Sequence, residues 1–348
     1  MWQLRNRTPF AAERTWVRDR DGTETWLVAI KATFRFAVDG IIGVADEQPP
    51  VTLAPVHHGA PGRSSLRYEC DLQRTKVATD VVVNGSAHAP GGGAVSRLDA
   101  GFAIGPVAKA LRVHGDRRWQ RGRIGEALPF SVMPITYERA YGGRDDQGGP
   151  SAWDERNPVG SGYAVSSRNV EGRLLPNLES VDDPTRHWND RPAPAAFGPI
   201  PCHWPTRRRY AGTCDEHWQR EQAPLLPADF DDRHYQCAPA DQQAPGFLRG
   251  GEPVTLLNLT PGGGEMRFVL PRVHLGFETV FFTGPSVLHP PPSLHTIILE
   301  PDDGHVSLVW HSALPCHQRV LKLRHTVVTL KEDLRVGALA QLPAGVAA

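Results

Sequence analysis

The stretch WLVAIKATFRF, residues 26–36, decides the fold class. Apolar side chains at every second position share one face of an extended strand, as they do in its second half. On that face we place Ile30, Ala32, Phe34 and Phe36, and on the opposite face Lys31, Thr33 and Arg35. Asp39-Gly40 follows, a pair typical of tight hairpin turns, so a second strand is expected from Ile41-Ile42 onward.

The rest of the two outer thirds carries further short strand patterns. The β-branched run 79–83 is closed by Asn84-Gly85, which predicts another hairpin. Other candidate strands are residues 96–104, 108–113, 130–137, 253–259, 266–270, 278–283, 295–300, 305–311 and 319–330. Many short strands between turns indicate an all-β fold with an antiparallel, sandwich-like scaffold.

The middle of the chain, residues 137–252, differs from both outer thirds. It holds 13 prolines and 12 glycines in 116 residues, and proline removes the amide donor that a regular strand or helix needs. It also holds four of the nine tryptophans, which a disordered linker would lack. We therefore predict ordered irregular loops within a single β-rich domain spanning residues 1–348. Its parts are N-terminal strands (1–136), the loop region (137–252) and C-terminal strands (253–335).

Overall charge and composition restrict the class of partner. With 38 basic and 38 acidic residues the formal net charge is zero, which gives no electrostatic argument for binding nucleic acid or an anionic membrane. No apolar run reaches the length of about 18 residues that a membrane span needs, and the first ten residues lack a signal-peptide pattern. The five cysteines are odd in number and widely spaced. A cytoplasmic protein with reduced thiols is therefore expected.

Motifs of two common enzyme classes are missing. The richest glycine loop, APGGG at residues 89–93, is followed by neither Lys-Ser/Thr nor a helical pattern, which a phosphate-binding loop requires. The Gly-x-Ser-x-Gly turn of a serine hydrolase is absent from the sequence. We expect no cofactor, and these gaps weigh against an enzyme.

Cysteine and histidine residues of the middle segment form a candidate metal site. Cys214 and His217 have two residues between them, and so do His234 and Cys237. Soft nitrogen and sulfur ligands of this kind bind zinc in a tetrahedral arrangement. The alternative is free thiols beside hydrogen-bonding histidines, which needs no metal.

Acidic residues of the same segment leave a second function open. Glycoside hydrolysis needs two carboxyl groups that face each other across a cleft. Candidate acids are Glu138, Glu179 and Asp215. The alternative function is therefore a hydrolase or carbohydrate-binding protein that uses the central aromatic loops.

Short motifs occur through the middle segment in a fixed order. They are ITYERAYGG (135–143), NPVGSGY (157–163), LPNLE (175–179), FGPI (197–200), HW (203–204), AGT (211–213), PLLP (224–227), AP (238–239) and LRGGE (248–252). Asn6 with Thr8-Pro9-Phe10, and KATF (31–34), precede them. This ordered series resembles the bacterial "domain of unknown function 2169" family, which is linked to type VI secretion. Cys214 departs from the family pattern, which has an aromatic residue after Gly-Thr.

The resemblance implies a non-catalytic adaptor or chaperone. Such a protein would bind a toxin effector and help load it onto the secreted spike, a valine-glycine-repeat trimer with its Pro-Ala-Ala-Arg (PAAR) tip. No catalytic residues are carried over. The partner-binding candidates are Tyr137, Glu138, Arg139, Tyr141, Asn157, Asn177, Glu179, His203, Trp204, Arg207, Asp215, Trp218, Asp229, Gln242, Arg249 and Glu252.

Each of these motifs also has a purely structural interpretation. Trp204 and Trp218 are of the type that fills a core, and residues 137–139 suit a strand end tied by an ion pair. The run Arg207, Arg208 and Arg209 suits a solvated face or, alternatively, a contact with an acidic partner.

Overall fold

The computed structural model describes residues 2–19, 21–37 and 39–331 and confirms the all-β fold class. Within these residues the strands, numbered in chain order, are β1 (Gln3–Asn6), β2 (Ala11–Arg18), β3 (Glu24–Phe36), β4 (Ile42–Val44), β5 (Val56–His57), β6 (Leu66–Tyr68), β7 (Asp80–Val83), β8 (Ser86–His88), β9 (Arg97–Ile104), β10 (Val107–His114), β11 (Trp119–Gln120), β12 (Arg123–Ile124), β13 (Val132–Pro134), β14 (Tyr141–Gly142), β15 (Ser161–Gly162), β16 (Leu178–Ser180), β17 (Pro253–Leu257), β18 (Glu265–Val269), β19 (Leu275–Phe281), β20 (Val287–Leu288), β21 (Ser293–Glu300), β22 (His305–Pro315) and β23 (Leu323–Leu330).

Among the described residues, helical structure is confined to short pieces, most of them in the middle segment. The α-helices are α1 (Pro205–Arg208) and α2 (Glu216–Glu221). Single 3₁₀ turns cover Pro90–Gly92, Tyr137–Arg139, Ser167–Asn169, Asp232–Tyr235, Ala240–Gln242 and Val320–Lys322. No helix in the described part of the chain is both long and apolar enough to cross a membrane.

The stretch quoted above lies in β3, an interior strand of a six-stranded sheet. The strand order is β2-β3-β22-β21-β7, and β4 also pairs with β3. The β3–β4 pairing places Phe34 opposite Val44 in an antiparallel register, which confirms the predicted Asp39-Gly40 hairpin. Most of this sheet is antiparallel, and β7 alone among its described strands joins in parallel, next to β21.

The second predicted hairpin, at Asn84-Gly85, is wrong. Strand β7 pairs with β21, and β8 pairs with β13 in a separate two-stranded sheet. A two-residue type I′ turn needs a positive φ at both central residues, and neither Asn84 nor Gly85 has one. Instead, the Asn84 side chain donates to the carbonyl of Arg67 at 2.9 Å while its amide donates to Leu299. The dipeptide therefore ends β7 and lets the chain cross to another sheet.

A second large sheet packs against the first to form the main core. Its order is β16-β10-β9-β17-β18, and it combines strands from both outer thirds of the chain. Phe36 of β3 stacks on Phe268 of β18 with ring centroids 4.6 Å apart, which joins the two sheets. The loop region, residues 137–252, which we call the central segment from here on, adds Phe197 and Trp204 to the same core.

A four-stranded sheet, β1-β23-β19-β20, extends the core at the ends of β3 and β22. It is tied to the first sheet by a hydrogen bond of 2.9 Å from the indole of Trp26 to the hydroxyl of Thr326. The remaining pairs, β5–β6, β8–β13, β11–β12 and β14–β15, are two-stranded.

Strands β3, β7, β21 and β22 of the six-stranded sheet are buried on both faces, whereas β2 and β4 are half-buried or exposed. The side chains at every second position of β3, among them Ile30 and Phe34, pack in the main core, as predicted. The opposite face is also covered: Lys31 is 5% exposed and Thr33 is 1% exposed. Loops around residues 48–76 and 236–247 lie over this face, which we call the outer face. The central segment is attached to the scaffold partly at this second, polar interface.

Candidate functional site

A layer of charged side chains is buried between the outer face and the loops that cover it. We call the residues Lys31, Glu69, Asp71, Lys76, Asp80 and Arg207 the buried polar layer. Lys31 contacts Asp71 at 3.1 Å, and Lys76 contacts Asp80 at 2.5 Å. Burial alone would lower the pKa of Lys76, but the Asp80 carboxylate outweighs it, so this pKa lies above its ordinary value.

Asp80 connects the layer to the central segment. One carboxylate oxygen accepts from the side chain of Gln236 at 2.9 Å, and the other from the amide of Cys237 at 2.7 Å. Asp80 is completely buried at the start of β7. These bonds fix Gln236 and Cys237 of the central segment to β7, the edge strand of the six-stranded sheet. Loss of either bond would be costly, because a buried carboxylate without hydrogen-bond partners is destabilising.

Arg207 holds a second part of the central segment in place. Its guanidinium pairs with Glu69 and donates to the carbonyls of Ile200 and His234. The residue is 4% exposed, so the expectation of a solvated face is wrong for it, whereas Arg208 and Arg209 are exposed. Planar guanidinium groups suit such multiple contacts in a buried position.

Asn157 joins the motifs ITYERAYGG and NPVGSGY. Its buried side-chain amide donates to the carbonyls of Tyr137 and Tyr141 at 2.8 and 3.0 Å. Gly142 has a φ of 143°, and a Cβ there would lie 2.3 Å from the carbonyl oxygen of Asn157. The two motifs therefore interlock through their backbones, and no side chain fits at position 142.

A third contact set fixes the motif LPNLE beside β10. Glu179 pairs with Arg117 at 2.6 Å and with His114 at 3.3 Å. Burial would raise the pKa of Glu179, but the bond from His114 and the charge of Arg117 hold it below its ordinary value. Asn177 accepts from Arg139 at 3.0 Å.

Residues 137–139 form a 3₁₀ turn and are not the end of a strand. The preceding strand, β13, ends at Pro134. Glu138 accepts from the amide and the hydroxyl of Ser65, and Arg139 lies 3.8 Å from Asp116. The ring of Tyr137 meets that of Trp204 edge to face at 5.2 Å. Burial raises the pKa of Tyr137 above its ordinary range.

The structure divides the sixteen partner-binding candidates by burial. Buried are Tyr137, Tyr141, Asn157, Asn177, Glu179, Trp204, Arg207 and Gln242. Half-buried are Glu138, Arg139, Trp218 and Glu252. Exposed are His203, Asp215, Asp229 and Arg249. The buried members hold loops together, as Gln242 does by donating to the carbonyls of Val81 and Phe197.

Most of the exposed candidates lie in one excursion of the chain, residues 202–229, which we call the 202–229 loop. Asp215 caps α2 by accepting from the amide of Trp218 at 2.9 Å, and the Trp218 indole donates to the carbonyl of Leu225. Asp229 closes the loop by accepting twice from Thr213 at 2.8 Å. The base is held by Trp204 and Arg207, while most side chains between them and Asp229 face solvent.

The other predicted sites are not assembled. Cys214 and His217 are exposed, His234 bonds the carbonyl of Arg207, and buried Cys237 lies 3.6 Å from Lys76. No group of three or more potential ligands that could hold a metal occurs in the described ranges. Of the three acids considered for hydrolysis, Glu138 and Glu179 are bonded to different partners and Asp215 caps a helix.

Sequence reasoning missed the buried lysines. Lys31 and Lys76 are two of only five lysines in the chain, and Lys31 directly follows the apolar residues 26–30. Lys76 and Asp80 are also four residues apart with opposite charges. A rare lysine within an apolar run was the available signal, because a lysine is buried only when it is paired.

Comparison with known proteins identifies a family. No curated protein matches this chain. No solved structure matches it either. One family profile, described as an uncharacterized protein conserved in bacteria (DUF2169), matches residues 21–311, most of the chain. This range contains the buried polar layer, the interlocked central motifs and the 202–229 loop, and the chain therefore belongs to the DUF2169 family.

Proposed function

We propose that this protein is a non-catalytic adaptor that binds a protein effector and helps load it onto a secreted spike. The spike would be the valine-glycine-repeat trimer of a type VI secretion system with its PAAR tip. The type VI context comes from the sequence resemblance described above. The protein would hold the effector before secretion and release it at the spike.

The observation that carries this proposal is the contrast between the base and the surface of the 202–229 loop. Its base is fixed by buried contacts of Trp204 and Arg207, so it is anchored to the scaffold. Its surface presents exposed arginine, histidine and acidic side chains, among them Arg208 with 64% of its side chain exposed. Interfaces favour arginine and aromatic residues over lysine, and the central segment has no lysine.

A loop of this kind suits reversible binding. An anchored base keeps the ordering entropy small when a partner docks, whereas exposed charges give selectivity and a fast encounter. The effector must be held tightly enough for transport and yet released, which requires differential affinity between the free and the spike-bound states.

The test is co-purification followed by charge reversal on the loop. The tagged full-length chain is expressed with the products of its neighbouring genes, and the captured protein is identified by mass spectrometry. The double variant Arg208→Glu/Arg209→Glu is expected to weaken binding by at least about tenfold, measured as Kd by calorimetry.

The matched control is Arg123→Glu/Arg324→Glu, which reverses two exposed arginines outside the loop. It should leave Kd unchanged. Absence of any captured neighbour, or equal Kd values for both double variants, would contradict the proposal.

A further inference from the structure

Lys76 of the buried polar layer lies beside the thiol of Cys237, although the two residues are 161 positions apart in the sequence. Its Nζ atom is 3.6 Å from Cys237 Sγ. The same atom is 2.5 Å from Asp80 Oδ2 and 2.9 Å from the hydroxyl of Thr296. Lys76 is 5% exposed and Cys237 is 2% exposed. An amine and a thiol are therefore held next to each other inside the protein, with a carboxylate at hand to accept a proton.

A small cavity adjoins this pair of side chains. Lys76, Cys237 and Thr296 line it, together with Tyr68 and Cys70. Its volume of about 10 Å³ is close to the smallest that holds one water molecule, so it has room for a small molecule such as dioxygen and for nothing larger. Small neutral molecules do enter buried cavities of folded proteins. Dioxygen can therefore come into contact with both the amine and the sulfur.

The usual route of cysteine oxidation is disfavoured at Cys237. Burial raises the pKa of this thiol to about 12, so it stays protonated at neutral pH. Stepwise oxidation to sulfenic acid needs an accessible thiolate. Cys316 is buried as well, and its thiol donates to the carbonyl of Leu314. Among the described residues, Cys237 is the one cysteine whose sulfur has a hydrogen bond from a lysine.

We infer that Lys76 and Cys237 form a site of covalent modification, at which dioxygen joins the two side chains through an N–O–S bridge. The separation of 3.6 Å suits one inserted oxygen atom. A direct N–S bond needs a larger movement of both side chains, which their packed surroundings resist. The inference concerns a modification and does not depend on the proposed adaptor function.

The reaction balances with dioxygen as the oxidant. Asp80 takes the extra proton of the ammonium group and leaves a neutral amine. One N–H bond and the S–H bond break, one oxygen atom forms the N–O and O–S bonds, and the other leaves as water with the two hydrogen atoms. Nitrogen and sulfur each lose two electrons, and dioxygen gains four. Burial favours the free amine, but Asp80 holds the pKa of Lys76 above its ordinary value, so the amine is scarce and the reaction is slow.

The bridge changes how firmly the central segment is held. Cys237 follows the 202–229 loop in the chain, and Lys76 precedes β7. A covalent bond between them closes a long loop and restricts the unfolded chain, as a disulfide does. The bridged protein should therefore resist unfolding better than the reduced protein.

Mass spectrometry of the intact full-length chain tests the inference. Protein purified with a phosphine reductant is transferred to air-saturated buffer and sampled over several days. It should gain one oxygen atom and lose two hydrogen atoms, a change of about 14 Da, and digestion should place this change in a cross-linked pair of peptides that contain residues 76 and 237. Two equivalents of phosphine with one of water should restore the amine, the thiol and the original mass. Methylation has nearly the same mass but is not reversed in this way.

Three variants separate the possible products. Lys76→Arg and Cys237→Ser each remove one partner of the bridge, whereas Cys70→Ser removes the other thiol at the cavity. The gain of about 14 Da should disappear in the first two variants and persist in the third. If the first two fail to fold, the fragment masses of the cross-linked peptides from the parent protein still decide the matter.

The outcomes that overturn the inference have different masses. A disulfide between Cys70 and Cys237 loses about 2 Da and disappears in Cys70→Ser. Oxidation of Cys237 alone adds oxygen without joining two peptides. An unchanged mass after exposure to air overturns the inference as well.

Thermal melting measures the effect of the bridge on the fold. The bridged parent protein should melt at least about 5 °C higher than the same protein after reduction. Cys237→Ser should melt at one temperature with and without exposure to air. Equal melting temperatures for the bridged and the reduced parent would contradict the expected hold on the central segment.

Discussion

The buried motifs of the central segment and the 202–229 loop belong to the same proline-rich stretch, but the first are packed inside the protein and the second is largely exposed to solvent. Asn157, Arg207 and Gln242 face inward and bond backbone carbonyls, whereas Arg208, Asp215 and Asp229 face solvent. Arg207 and Arg208 are adjacent in sequence, but the side chain of Arg207 points into the protein and that of Arg208 points into solvent. A residue type within a family motif therefore says little about its role until its burial is known.

The largest expected effect separates these two neighbours. Arg207→Met leaves Glu69 buried without its cation, so we expect a loss of about 3–5 kcal/mol in the free energy of unfolding. Arg208→Met, at a side chain that is 64% exposed, should change it by less than about 0.5 kcal/mol. Denaturant titration measures both. Equal losses would remove the distinction between anchoring and exposed residues.

An intermediate effect is expected from acid. Burial lowers the pKa of His311 from 6.5 to about 4, so between these values the unfolded state binds more protons than the folded state. Stability contributed in this way is present above pH 6.5 and is lost as pH falls toward 4. Between pH 7 and pH 5 this residue alone should account for about 2 kcal/mol of lost stability.

The variant His311→Gln isolates that contribution. A glutamine amide retains a donor toward the carbonyl of Asp71 but does not titrate. The difference in unfolding free energy between pH 7 and pH 5 should therefore shrink by about 2 kcal/mol. An unchanged pH dependence would show that the outer face is not where acid acts.

The smallest expected effect lies within the exposed loop. Asp215→Ala removes the cap of α2 and should cost about 1 kcal/mol of local stability, which makes amide hydrogen exchange in residues 216–221 about fivefold faster. Exchange in β7 should stay the same. Glu216→Ala, one residue further on, is the control without the capping bond. Faster exchange in β7 as well would mean that the loop and scaffold open together.

Local features of the fold were predictable from the sequence, and distant pairings were not. The alternation in residues 30–36 and the Asp39-Gly40 turn predicted strand β3 and its hairpin, because both depend on neighbouring residues. The Asn84-Gly85 hairpin failed because β7 pairs with β21, more than 200 residues away. A β-branched run next to a turn pair looks the same in either topology.

The candidate site was predictable as a set of motifs but not as a geometry. The ordered motifs identified the family, which the profile match to residues 21–311 confirms. Their burial depends on contacts between distant parts of the chain, such as Arg207 with Glu69. The stacked rings of His295 and His311 were missed for the same reason, because the two residues meet only when β21 and β22 pair.

The pairing of β3 with a distant strand has a consequence for synthesis of the chain. Strand β3 is completed by β22, and its Trp26 bonds Thr326, 300 residues later. At roughly 5–20 residues per second, a ribosome needs on the order of 15–60 seconds to make that interval. During this time the backbone amide and carbonyl groups on the β22 side of β3 have no strand partner. Pairing of β3 with β22 must therefore wait until the chain has been made through residue 315.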